Sequence, residues 1–113
     1  MHTVPLENIT DEFLANAHPG VALKLDYIPD LNVTEYRVAK LLGITQTHLR
    51  QVLNGQRSVT ANLALRLGKL FNQSPEMWLA LQSNYDLLKA RRDAGSALEA
   101  MRPIAADELS TAA

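Results

Sequence analysis

Apolar residues in this chain recur three and four positions apart, and each such run opens on a residue suited to capping a helix, so the pattern predicts an all-α fold. Leu6, Ile9, Phe13 and Leu14 form a short apolar set near the start, which Thr10 or Asp11 could cap. His18-Pro19-Gly20 punctuates the chain. Pro19 suits a first helical turn, and Val21, Leu25 and Ile28 continue at i, i+4 and i+7, with Pro29 expected to end that helix. Thr34 caps a second helix carrying Val38, Leu41 and Leu42, and Gly43 stops it. A third helix starts near Thr45, turns Leu49, Val52 and Leu53 inward, and ends at Asn54-Gly55. Thr60 caps a fourth, with Leu63, Leu67, Leu70 and Phe71 on one face. Ser74-Pro75-Glu76 combines an N-cap, an N1 proline and an early acid for a fifth, which runs to about Arg92. Residues 94–113 are alanine-rich and broken by Pro103, so a short helix or a mobile tail is expected there.

At 113 residues a single domain is expected, divided into an acidic segment 1–17, a helical domain 18–93 and a tail 94–113. The chain is 47% hydrophobic and 20% charged, the balance of a globular protein. It has no cysteine, which removes disulfides, thiol catalysis and cysteine metal sites. With no secretory pattern and no apolar run near the ~20 residues that span a bilayer, a soluble, cytoplasmic protein is expected, with no membrane partner.

The net charge of −1 conceals a partition. Residues 1–35 hold six acids against Lys24 alone, and 76–113 again favour acids, whereas 36–75 hold Arg37, Lys40, Arg50, Arg57, Arg66 and Lys69 with no acid at all. Such a stretch makes a local positive field.

Within that stretch the apolar spacing tightens into a helix-turn-helix. Val38, Ala39 and Leu42 precede Gly43 by five, four and one positions, and Ile44, Leu49 and Val52 follow it by one, six and nine. A small residue at 39 lets the helices cross closely, and glycine at 43 accepts a positive φ. Burying that set turns Gln46, Thr47, Arg50 and Gln51 outward on the third helix. Glutamine can pair with adenine, arginine with guanine, and threonine can touch a thymine methyl, so these four are the expected base-reading residues. Arg37, Thr45, Asn54, Gln56, Arg57 and Ser58 flank them and suit phosphates. Catalysis has no comparable support. His2, His18 and His48 lack metal-ligand spacing, no phosphate-cradling glycine loop exists, and no cofactor or metal is expected.

His18-Pro19-Gly20, the helix-turn-helix, Leu53-Asn54-Gly55-Gln56-Arg57, Ala64-Leu65-Arg66-Leu67 and the block Ser74-Pro75-Glu76-Met77-Trp78-Leu79 with Leu81-Gln82 and Tyr85-Asp86-Leu87 together resemble the HigA family of antitoxins, within the lambda-repressor/Cro-like group. The resemblance covers roughly residues 18–92. It implies a five-helix lambda-repressor-like domain that binds operator DNA as a homodimer, represses its own operon, and silences a HigB-type messenger-RNA endonuclease toxin. Val21 stands where the family commonly carries an acid. A stand-alone phage-type repressor would share the fold and the operator chemistry and differ in having no toxin.

Two partner surfaces are expected. Trp78, Leu81, Tyr85 and Leu88 share one face of the fifth helix. Trp78 is expected to close the core, and Leu81, Tyr85 and Leu88 to form a dimer seam. The acidic start of the chain complements a basic nuclease, which makes Glu7, Asp11, Glu12, Phe13 and Leu14 the expected toxin contacts.

Overall fold

The computed structural model describes residues 4–105, so His2 and the far end of the expected tail lie outside it. After a single 3-10 turn at Leu6–Asn8 come α1 (Asp11–Ala17) and α2 (Pro19–Ala22), a π-helical turn (Leu23–Tyr27) and α3 (Ile28–Leu31). They are followed by α4 (Glu35–Leu42), α5 (Gln46–Leu53), α6 (Ala61–Phe71) and α7 (Pro75–Ala100). No strand occurs among the described residues.

Threonine opens four of these helices. The hydroxyls of Thr10, Thr34, Thr45 and Thr60 accept the amides of Phe13, Arg37, His48 and Leu63, each bond worth about 1 kcal/mol to its helix. Ser74 departs from this pattern. It occupies the N-cap of α7, but its hydroxyl donates to the Glu76 carboxylate at 2.6 Å and accepts no backbone amide.

Two expectations fail between Pro19 and Leu31, for one reason. Pro29 does not end the helix, and Leu25 does not face inward: it is 65% exposed, while Leu23 is buried. The Ile28 amide reaches back five residues to the Leu23 carbonyl, a π bond that widens the turn. The extra residue shifts the buried register from Leu25 to Leu23 and leaves Pro29 in the first turn of α3, where no N–H donor is needed. The run ends three residues later, on left-handed Asn32.

The main core gathers Leu23, Val38, Ala39, Leu42, Leu49, Val52, Leu53, Val59, Leu63, Ala64 and Leu67 around fully buried Trp78. Tyr27 stacks at a tilt on both Trp78 and Phe71, with centroids 5.2 and 5.1 Å apart. A second, smaller cluster joins Ile9 and Leu14 to Leu88, with Tyr85 packed against it. The acidic N-terminal segment is thus folded onto α7. Arg91 donates to the Val4 carbonyl at 2.7 Å, and Arg92 pairs with Asp11 at 2.5 Å. Helix α7 runs past Arg92 to Ala100, leaving helical dihedrals at Gly95.

Candidate DNA interface

The turn between α4 and α5 has the geometry that its sequence demands. Gly43 takes φ 74°, which a side chain would strain, and its amide closes α4 on the Lys40 and Ala39 carbonyls. Val38, Ala39, Leu42, Leu49 and Val52 are all buried, and Ile44 is half-buried. Arg66, one of the six bases in the acid-free stretch, is occupied in closing this corner. It donates to the Leu42 carbonyl at 2.9 Å and to Asn62 at 2.7 Å.

With that wedge buried, α5 presents its opposite side to solvent. Thr47 and Arg50 are exposed, and Gln46 and Gln51 are half-buried. Arg50 is held by Glu35 of α4 at 3.4 Å, a contact between two solvated side chains that a guanine edge could replace. Gln51 accepts from Arg57 at 3.2 Å, which ties a candidate base reader to a candidate phosphate contact. Arg37, Thr45, Asn54, Gln56, Arg57 and Ser58 are all exposed. The Thr45 oxygen already accepts the His48 amide, so the hydroxyl proton is what it can offer to a phosphate.

The loop leaving α5 rests on side chains that the outward-facing register could not reveal. His18 is buried beneath it. Its Nδ1 accepts the Gly20 amide at 2.9 Å and so caps α2, and its ring meets Tyr85 edge-on at 4.8 Å. Burial holds the imidazole pKa below its ordinary value, opposed by the charge of Asp86 and by the backbone of Arg57. His48 is likewise lowered, first by burial and then by the Arg57 charge. Gln82 of α7 is buried as well, and its Oε1 accepts the Val59 amide at 2.8 Å. In the sequence, Gln82 is marked by its place four residues after Trp78 and by the Leu81-Gln82 pair within the family resemblance, neither of which gives its amide a partner.

The expected partner residues divide differently from their spacing. Leu88 is 7% exposed, covered by Ile9 and Leu14 of its own chain, and Tyr85 packs beside it. In a single chain these are core contacts, because the N-terminal segment occupies the face assigned to a dimer seam. Leu81 packs against the main core. Leu14 is buried too, whereas Glu7, Asp11, Glu12 and Phe13 are exposed. A cleft of about 520 Å³ opens between α1, the π turn, the end of α5 and α7, with Asp11, Val21, Lys24, Tyr85 and Arg92 in its wall. Among the described residues no three acidic or histidine side chains converge as a metal site, and no helix is long and apolar enough to cross a membrane.

The sequence matches a helix-turn-helix family model over residues 30–78. It is 42% identical over 71 residues to virulence-associated protein A′ of Dichelobacter nodosus, a match covering 62% of this chain and 61% of that protein, so the chain spans about six tenths of that relative's length. The fold superimposes on an addiction-module antidote protein of the HigA family from Coxiella burnetii with a TM-score of 0.72 at 38% identity, covering 77% of this chain and 96% of the other. It also superimposes on the Pseudomonas aeruginosa antitoxin HigA solved with the higBA promoter, with a TM-score of 0.73 at 27% identity, covering 78% and 97%. The buried helix-turn-helix wedge, the outward face of α5 and a likeness that runs almost the whole length of both solved structures agree: the chain belongs to the HigA family of XRE-type helix-turn-helix antitoxins.

Proposed function

We propose that this protein binds a palindromic operator as a homodimer, represses its own operon, and holds a HigB-type RNA endonuclease toxin inactive in the cytoplasm. The observation that carries the DNA half is the solvent-facing side of α5, with Thr47 and Arg50 exposed in an acid-free stretch of a fold shared with a HigA solved on its promoter. Gln46, Thr47, Arg50 and Gln51 read base edges, while Arg37, Thr45, Asn54, Gln56, Arg57 and Ser58 hold phosphates and fix the register. Two copies would set their α5 helices one DNA turn apart, about 34 Å. With Leu88 buried, the seam between copies falls to Leu79 and Leu87, two turns apart on α7 and both exposed. Exposed Glu7, Asp11, Glu12 and Phe13 meet the basic toxin.

The test is to express the small gene adjacent to this one alone and together with it, and then to purify the complex. Growth arrest relieved by co-expression, with a stable complex weakened by Glu7→Lys/Glu12→Lys, is the expected result. No arrest and no complex, with binding to the upstream duplex intact, would mean a stand-alone repressor.

A further inference from the structure

Two polar side chains are buried among the described residues, His18 and Gln82. Burying an amide or an imidazole costs free energy unless its polar atoms find partners. Gln82 finds one on the loop that leaves α5, and His18, whose Nδ1 accepts the Gly20 amide, lies beneath the same loop. Residues 55 and 56 are held from the α5 side, the Gly55 amide by the Val52 carbonyl and the Gln56 amide by the Gln51 carbonyl, at 3.0 and 2.8 Å. The His18 ring lies directly under Gly55, 3.6 Å from where a Cβ would stand. At the other end the Val59 amide is held by Gln82 Oε1, and Gln82 is itself fixed by donating to Asp86 at 2.9 Å. The loop is thus pinned before and after two exposed residues, Arg57 and Ser58.

We infer that Gln82, with His18 beneath the loop, is a positioning residue for DNA binding: it fixes the backbone from which Arg57 and Ser58 reach the phosphates, without touching DNA itself. This rests on the DNA reading above and adds α7 to it. Packing alone does not call for glutamine at 82. Its neighbours on the stripe, Trp78 and Leu88, are apolar, and a methionine would fill the same volume. What glutamine adds is an acceptor for the loop and a donor for Asp86.

The test uses the full-length chain and two duplexes of equal length, one from immediately upstream of its own reading frame and one unrelated. Gln82→Met is expected to keep its helical spectrum and a single unfolding transition, yet to lose about ten-fold in affinity on both duplexes and to flatten the salt dependence by about one phosphate contact. Arg57→Ala added to Gln82→Met should cost little more than Gln82→Met alone, because the two act through the same contact. The swap Gln82→Glu/Asp86→Asn restores both an acceptor for Val59 and a donor–acceptor pair on α7. It is expected to recover binding that Gln82→Glu alone loses, and this holds even if Gln82→Met proves unstable. Unchanged affinity in Gln82→Met, losses that add fully with Arg57→Ala, or no recovery in the swap would each overturn the role of Gln82 and leave the DNA reading standing. A wild-type chain that binds neither duplex overturns both.

Discussion

At the residue scale, the free protein keeps Arg50, a proposed base reader, occupied. Arg50 leans on Glu35, and because both side chains are solvated the pair contributes at most about 1 kcal/mol and can be exchanged for a base edge. Arg50→Ala is therefore expected to weaken binding to the cognate duplex by about 1–3 kcal/mol and binding to an unrelated duplex by far less, as read from paired titrations. His18 supplies a pH dependence of stability. Its pKa is lowered in the fold by burial, so the unfolded chain takes up the proton more readily. Stability from this residue is fully present above about pH 6.5 and is lost as pH falls from there through the lowered pKa. The melting temperature should drop between pH 7 and 5, and His18→Asn, which can still cap α2, should flatten that drop. Gln46, Thr47 and Arg50 were legible in the sequence because burying Leu49, Val52 and Leu53 leaves them one direction to face. Gln82 was not, because a polar residue inside a helical pattern reads as solvent-facing unless something shows that its amide has a buried partner.

At the element scale, α2 crosses α5 so closely at Gly20 that no side chain fits between them. A Cβ on Gly20 would collide with the Val52 carbonyl oxygen, a backbone atom that cannot rotate away. Gly20→Ala must separate the two helices, and we expect it to destabilise the protein by about 1–3 kcal/mol or more in chemical denaturation. The helices from α4 to α7 were legible because threonine caps, apolar spacing and left-handed stops agree on the same boundaries, as at Thr34 and Gly43. The π turn was not. Nothing in Leu23–Tyr27 marks an extra residue per turn, and Pro29 is locally a better stop than a start. Only the packing of Leu23 into the core, with Leu25 turned out, selects the wider turn. The cover over one face of α7 was not legible for a related reason: the face bearing Tyr85 and Leu88 is apolar, and spacing alone does not tell a second copy from the chain's own beginning, which covers it in the single chain.

At the scale of the whole molecule, charge is partitioned along the chain. The bases of residues 36–75 serve the α4–α5 region, while the acids of residues 1–35 include those on the N-terminal segment. Nucleic acid and a basic protein could therefore be engaged on separate ground. The attachment of that segment has a consequence for the order in which the molecule comes together and comes apart. The bond from Arg91 to Val4 spans 87 residues of chain, and the Arg92–Asp11 pair spans 81. Closing such long loops costs entropy, and the cluster that rewards it, Ile9, Leu14 and Leu88, is small beside the core around Trp78. The segment should dock last in folding and release first, as a separate low-energy opening. Amides of α1 are accordingly expected to exchange with deuterium well before those of α5 and α6 under native conditions. Exchange of all of them at a single rate would show one cooperative unit instead. A protein that grips the exposed acids would then work against only this weakest opening, and each release of the segment would uncover Tyr85 and Leu88 while leaving the helix-turn-helix folded.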